Sequence, residues 1–144
     1  MRINVIEFSK LEEELAKTLK SPLDYLAPEI GSIYVVAITR DGCPACAKQK
    51  PKLEKLAKTM AEKHEDKVVF TRIHIKYLHG SREESLRSKD TFGHYFYPTN
   101  LILLRTIDRG VIEYYRNAAP DINELEKNIE SALEVATMFE KEMA

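Results

Sequence analysis

The sequence has little cysteine, no tryptophan and no excess of charge of either sign. Its 22 Lys and Arg residues nearly balance 23 Asp and Glu residues, which leaves a formal net charge of -1 over 144 residues. A chain without a basic excess is a poor candidate for binding nucleic acid. No stretch is apolar enough to span a membrane, and the N-terminal segment turns acidic too soon for a signal peptide. We therefore expect a cytoplasmic protein with no membrane and no nucleic-acid partner.

The remaining composition is that of a globular protein. Hydrophobic residues make up 44% of the chain and charged residues 31%, so residues 1–144 are long enough and apolar enough for one domain with its own core. Lysine and glutamate are abundant, whereas glutamine occurs once, at position 49. This bias is typical of proteins from thermophiles.

The hydrophobic pattern predicts the element order α, β, α, β, α, β, β, α. A capping box of Ser9 and Glu12 is expected to start the first helix, over 9–20, and Asp121 with Glu124 is expected to start the last one. Residues 21–32 are expected to form a loop. The other predicted elements are strands at 33–39 and 67–75, a helix from the cysteines to about His64, a polar helix at 81–93, and a hairpin around 108–110. A βαβ start followed by a hairpin predicts an α/β fold, with a central mixed β-sheet flanked by helices on both faces.

Both cysteines lie in one short segment, "DGCPACAKQKP", residues 41–51, where the first predicted strand ends and a helix begins. Cys43 and Cys46 at CxxC spacing favour a redox dithiol over half of a metal site or simple packing. A closed zinc site needs four ligands, and the sequence has no second CxxC or CxxH pair. The histidines at 64, 74, 79 and 94 follow no usual ligand spacing. We therefore expect no metal bound within one chain.

The position of the motif predicts which cysteine attacks. Proline is favoured at the first position of a helix. If Pro44 occupies that position, Cys43 is the N-cap. Its sulfur then lies near free backbone N–H groups and the partial positive charge of the helix N-terminus, which favour a thiolate. Cys46 lies one turn further on, within bonding reach and closer to the interior. Cys43 is thus the predicted attacking thiol and Cys46 the predicted resolving thiol.

A second motif supports a family resemblance. Pro51 lies inside the predicted helix after the cysteines, and "YFYPTN", residues 95–100, follows later in the chain. Together with the CxxC, these features resemble the thioredoxin superfamily over about residues 33–142, after an N-terminal helical extension over about 1–32. The resemblance implies the thioredoxin fold, with a cis Pro98 facing the dithiol.

The same resemblance implies a function and a binding edge. It implies a thiol–disulfide oxidoreductase that acts on protein disulfides, receives electrons from a thioredoxin-reductase-type donor and needs no bound cofactor. The backbone before the cis-proline pairs with the substrate peptide, a role that falls to Tyr97 here. We expect Tyr97, Pro98, Pro44 and Gly42 to bind substrate.

Three departures from the thioredoxin pattern keep alternatives open. Gly42 replaces the tryptophan before the first cysteine, Ala37 replaces a buried aspartate, and the dipeptide between the cysteines is Pro-Ala. The first alternative is a glutaredoxin-like protein that uses glutathione or holds an iron–sulfur cluster between two subunits. The second is a redox-gated binding module on the same fold.

Two other side chains have open roles. Arg72, on the same face of its strand as His74, is expected either to stabilise a thiolate or to be a paired surface charge. His94 is expected either near the site or as a hydrogen-bonded structural residue. Three aromatic residues, Tyr95, Phe96 and Tyr97, precede Pro98. Of these, we expect Phe96 in the core and Tyr97 in contact with the substrate.

Overall fold

The computed structural model of this protein describes residues 3–78, 81–118 and 121–143. Within these ranges the chain forms five strands, five α-helices and one short 3-10 helix. The strands are β1 (Asn4–Glu7), β2 (Ile33–Arg40), β3 (Val68–Ile75), β4 (Thr99–Arg105) and β5 (Val111–Asn117). The α-helices are α1 (Phe8–Thr18), α2 (Pro22–Leu26), α3 (Pro44–His64), α4 (Glu83–Phe92) and α5 (Ile122–Met143), and the 3-10 helix covers Glu65–Lys67.

The strands form one mixed sheet in the order β1-β3-β2-β4-β5. β3 pairs in parallel with both β1 and β2, whereas β4 pairs antiparallel with β2 and β5. The continuous β-branched run of β2 therefore lies at the centre of the sheet, and seven of its eight residues are buried. Both the parallel βαβ start and the hairpin are confirmed.

Helices cover both faces of the sheet, so each face has its own core. One core joins α3 and α5 to the sheet through residues such as Leu53, Met60 and Ile129. The other core lies under α1 and α4 and includes Phe8, Leu11 and Phe92. The two cores bury the central strands from both sides and so position the loop that leaves the end of β2.

The N-terminal segment differs from the prediction in three ways. Residues Asn4–Glu7 form β1, which pairs with β3 at one edge of the sheet, because a four-residue strand is too short to show a clear period. Pro22–Leu26 form α2, which is capped by Ser21 Oγ accepting from Asp24 N–H at 3.2 Å. The predicted capping box is wrong: α1 begins at Phe8, its N-cap is Glu7, and no side chain caps it.

The later elements follow the prediction closely. α3 runs through Pro51 to His64, and the Asp121 carboxylate accepts from Glu124 N–H at 3.1 Å, at the start of α5. The sheet and its two helical layers thus bring the β2–α3 loop and the start of β4 to the same end of the molecule.

Candidate active site

Cys43 is the N-cap of α3, as predicted. β2 ends at Arg40, two residues form a turn, and α3 begins at Pro44, the predicted first helical residue. The Cys46 N–H donates to Cys43 Sγ at 3.1 Å, and the Ala47 N–H donates to the Cys43 carbonyl at 3.1 Å. The sulfur of Cys43 thus receives one of the backbone N–H groups that the start of a helix leaves free.

The two cysteines are joined in a disulfide, with their Cα atoms 5.2 Å apart. Each is 8% exposed, so the greater burial predicted for Cys46 is not observed. What distinguishes them is the hydrogen bond from the helix N-terminus, which only the Cys43 sulfur is positioned to accept. This asymmetry favours Cys43 as the more stable thiolate.

Gly42 and Pro44 flank Cys43 on the surface, and both are exposed. Gly42 has φ of +64°, a left-handed conformation that side-chain-bearing residues rarely adopt. The nearest atom that a Cβ there would meet is Arg40 Nη1, at 3.9 Å. Backbone conformation rather than lack of space therefore accounts for glycine at this position.

Pro98 directly precedes β4, the strand that neighbours β2 in the sheet. The Tyr97–Pro98 peptide bond is cis, and β4 begins at the following residue, Thr99, which pairs with Ile38 of β2. Because β2 continues toward Cys43 from Ile38, this register places Pro98 beside the end of β2 from which the motif emerges. Pro98 itself is buried.

The three aromatic residues before Pro98 are arranged differently from the prediction. The Tyr97 side chain is half-buried: its hydroxyl is 2.8 Å from Ser85 Oγ, and it packs with the core under α4. Burial raises the pKa of Tyr97. Phe96 was expected in the core, and that prediction is wrong, because Phe96 is 64% exposed and Tyr95 80% exposed. In the bend before Pro98, Tyr97 packs inward against the core and Phe96 lies on the surface.

An arginine lies over two of the nearby tyrosines. The Arg40 guanidinium carbon lies 4.3 Å from the ring centroid of Tyr77 and 5.6 Å from that of Tyr97. Arg40 also donates from Nη1 to the Asp41 carbonyl at 2.7 Å. These contacts give the surface next to the dithiol both a positive charge and aromatic rings.

His94 is a structural residue in contact with the site rather than part of it. It is 2% exposed, and its Nε2 is 2.8 Å from Ser88 Oγ. Its ring lies edge-on to Tyr97, with the two centroids 5.0 Å apart. Burial, aided by the positive charges of Lys89 and Arg116, lowers the pKa of His94 to about 4. The imidazole is therefore neutral at physiological pH.

The register between β2 and β3 fixes the position of Arg72. Arg72 pairs with Ala37, and its Nη1 donates to Thr39 Oγ1 at 3.2 Å. It lines an open cavity of about 1000 Å³ that both cysteines also line. Arg72 is thus on the same side of the sheet as the dithiol, which the strand pattern alone left open.

Sequence reasoning missed a buried amide pair beside the dithiol. Gln49, one turn after Cys46, exchanges two hydrogen bonds with Asn100 of β4 at 3.0 and 2.7 Å. Both side chains are buried, at 1% and 0% exposure. The isolated glutamine three residues after Cys46, on the buried face of the helix, was the one signal that pointed to this position.

Over residues 3–78, 81–118 and 121–143, none of the helices combines the length and the apolar character needed to cross a membrane. In the same ranges no three His, Cys, Asp or Glu side chains cluster closely enough to hold a metal ion. His79, one of the histidines considered above, lies outside the described residues.

Solved structures share this architecture. No protein-family model matches the chain, and no curated protein matches its sequence. The thioredoxin NaTrxh from Nicotiana alata is 23% identical, with a TM-score of 0.58 over 91% of this chain and 94% of that one. The Fasciola hepatica thioredoxin is 18% identical, with a TM-score of 0.56 over 90% and 98%. A thioredoxin f2 solved in complex with ferredoxin:thioredoxin reductase is 17% identical, with a TM-score of 0.56 over 91% and 94%. The chain therefore has the thioredoxin fold.

Proposed function

We propose that this protein, which has the thioredoxin fold, is a thiol–disulfide oxidoreductase that acts on protein disulfides through Cys43 and Cys46. The observation that carries the proposal is the placement of the Cys43 sulfur at the N-terminus of α3. There it accepts the Cys46 N–H at 3.1 Å and is bonded to the Cys46 sulfur. A helix N-terminus favours a thiolate, and a thiolate is the species that attacks a disulfide.

The cycle begins with the reduced dithiol. The Cys43 thiolate attacks one sulfur of a substrate disulfide, and the substrate S–S bond breaks as a mixed disulfide forms. The Cys46 sulfur then attacks Cys43 Sγ, the mixed disulfide breaks, and the second substrate sulfur leaves as a thiolate. The substrate gains two electrons and the protein ends with the Cys43–Cys46 disulfide, the state seen in the structure.

The substrate peptide lies across the exposed surface on either side of Cys43. Gly42 and Pro44 are exposed beside the sulfur, and their lack of a large side chain leaves room for an approaching chain. On the strand side, the backbone at Tyr97 and Pro98 pairs with the peptide. Exposed Phe96 offers it an apolar contact.

The electron donor is a reductase of the thioredoxin-reductase type. Support comes from the thioredoxin f2 of the same fold that was solved bound to ferredoxin:thioredoxin reductase. A reducing compartment such as the cytoplasm suits a dithiol that must be regenerated after each turnover. The direction of the reaction, reduction of the substrate, belongs to the same proposal.

Reduction of insulin disulfides by dithiothreitol tests the function. The wild type should accelerate the reaction, and Cys43→Ser should abolish the acceleration because no attacking thiolate remains. Lys52→Ala, which changes an exposed residue on the same helix, is the matched control and should keep full activity. Equal rates for wild type and Cys43→Ser would reject the proposal. Activity that depends on glutathione instead would favour the glutaredoxin-like alternative.

A further inference from the structure

The cavity beside the disulfide joins the two sulfurs to a polar wall on β3. Its lining includes both cysteines, the apolar side chains of Val5 and Leu53, and His74 of β3. A cavity of about 1000 Å³ with polar groups in its wall has room for water. A proton can therefore pass between a sulfur and a side chain of the wall by way of solvent.

His74 is held by a carboxylate from the segment that leads into the motif. Its Nε2 lies 2.6 Å from Asp41 Oδ1, and the side chain is only 20% exposed. Asp41 is itself fixed, because its Oδ2 accepts from Tyr77 N–H at 3.1 Å and its own N–H donates to the Ile75 carbonyl at 3.2 Å. The Tyr77 N–H and the His74 ring hold the pKa of Asp41 below its usual value. Asp41 is thus a fixed anion against one edge of the imidazole.

This contact decides which ring nitrogen can take a proton. A carboxylate only accepts hydrogen bonds, so the neutral ring carries its proton on Nε2 and keeps a lone pair on Nδ1. The Nδ1 atom lies 3.5 Å from Arg72 Nη1, at the limit of a hydrogen bond, while that same Nη1 donates to Thr39 Oγ1 at 3.2 Å. The Nδ1 lone pair therefore accepts at most a weak hydrogen bond.

Four other charged residues either pair in register with His74 or line the same cavity. Glu7 of β1 is its neighbour in register. Arg40 at the end of β2, and Lys50 and Glu54 on α3, line the same cavity. These four charges balance in sign. Asp41 and Arg72 are the charged residues whose polar atoms lie within 3.5 Å of the ring nitrogens.

We propose that His74, oriented by Asp41, is the proton-transfer residue of this dithiol and takes the proton of the Cys46 thiol when Cys46 resolves the mixed disulfide. The proposal rests on the proposed function. Chemistry at Cys46 needs such a group because the resolving thiol must lose its proton to become a nucleophile. Ala37, the β2 partner of Arg72, offers no ionisable group, whereas histidine is the side chain suited to exchanging protons near neutral pH.

The step balances without a further reagent. The Cys46 proton passes through the solvent of the cavity to His74 Nδ1, and the Cys46 thiolate forms a bond to Cys43 Sγ. The bond between Cys43 and the substrate sulfur breaks, and the electron pair leaves with the substrate as a thiolate. The imidazolium then returns the proton to solvent or to the departing thiolate, so the histidine is unchanged after the cycle.

Single-turnover oxidation by dithiobis(nitrobenzoate) separates the two steps, because each releases one coloured thiolate. The first phase reports the attack of Cys43, and the second reports resolution by Cys46. His74→Gln should slow the second phase by at least ~10-fold between about pH 6 and 7, given the usual gain from general base catalysis. The loss should shrink at higher pH, where the thiol ionises without help, and the first phase should stay unchanged.

His64→Gln is the matched control, since His64 is paired with Glu130 at the opposite end of the same helix α3. It should leave both phases at the wild-type rate. An unchanged second phase in His74→Gln would overturn the proposal, and so would equal slowing of both phases or the same effect in His64→Gln. Failure of the proposed function would look different, because wild-type protein would then show both phases with this reagent yet leave insulin intact.

Asp41→Asn tests the orienting role with the histidine in place. The amide oxygen can still accept from Tyr77 N–H, which turns the amide NH₂ toward His74 and moves the ring proton to Nδ1. The lone pair is then on the wrong nitrogen, so the second phase should slow as in His74→Gln. The double variant should be no slower than either single variant, because the two residues act as a unit. Additive losses would overturn the proposed coupling.

Discussion

Gln49 on α3 and Asn100 on β4 exchange two hydrogen bonds inside the protein, although 51 residues separate them in the chain. Asn100 donates a further hydrogen bond to Asn117 Oδ1 at 2.9 Å. Gln49 lies one turn after Cys46, and Asn100 lies two residues after Pro98. The amide pair therefore ties the helix that carries the dithiol to the strand that follows Pro98.

Breaking this pair should destabilise the protein. Gln49→Leu or Asn100→Leu leaves a buried amide partner without the two hydrogen bonds of the pair, which should lower the free energy of unfolding by about 1–3 kcal/mol. The double variant should lose less than the sum of the two, because the unpaired partner is then gone as well. Urea denaturation measures these changes. Lys52→Leu, an exposed site on the same helix, should change stability by less than about 0.5 kcal/mol, and strictly additive losses would contradict the coupling.

The two cysteines should fail at different steps when each is removed. Cys46→Ser keeps the attacking thiol but cannot resolve the mixed disulfide, so in a cell extract it should accumulate covalent partners that dithiothreitol releases. Cys43→Ser should form no such adducts. Non-reducing gels followed by mass spectrometry would detect and identify the partners. Adducts on Cys43→Ser alone would reverse the assignment of attacker and resolver.

The helix N-terminus should acidify the attacking thiol. In reduced Cys46→Ser protein, we expect a pKa for Cys43 well below the ~8.5 of a free cysteine. Thiolate absorbance at about 240 nm follows this titration. Cys43→Ser protein, which reports Cys46 alone, is the matched comparison and should titrate at higher pH. A single transition of Cys43 at the free-cysteine value would contradict the role of the N-cap.

Burial of His94 should make the protein less stable in mild acid. Its pKa falls from 6.5 to about 4 in the folded protein, so between these values the unfolded chain binds a proton that the folded one does not. The free energy of unfolding should therefore decrease as the pH falls from 6.5 toward about 4, by up to ~3 kcal/mol from this group. Urea denaturation across this range should show a shallower decrease for His94→Gln. Tyr95→Gln, an exposed change in the same loop, should keep the wild-type slope.

Local patterns in the sequence were enough to predict most elements of the fold. The β-branched run at 33–39 predicted a buried strand, because only a strand covered on both faces tolerates such continuity. Pro44 after Cys43 predicted the helix start, since proline suits the first helical position. The β1 strand was not predicted because its four residues are too few to show the alternation of a strand.

Contacts between distant segments were decided by the tertiary structure. Ala37 lies beside Arg72, and Asp41 beside His74, because β2 and β3 pair in one particular parallel register. A shift of the strand register would have exchanged these neighbours without changing the local hydrophobic pattern of either strand. The inward turn of Tyr97 and the exposure of Phe96 depend in the same way on how the segment before Pro98 packs against α4. The sequence by itself thus determined the dithiol at a helix start, while the pairing of strands decided which side chains surround it.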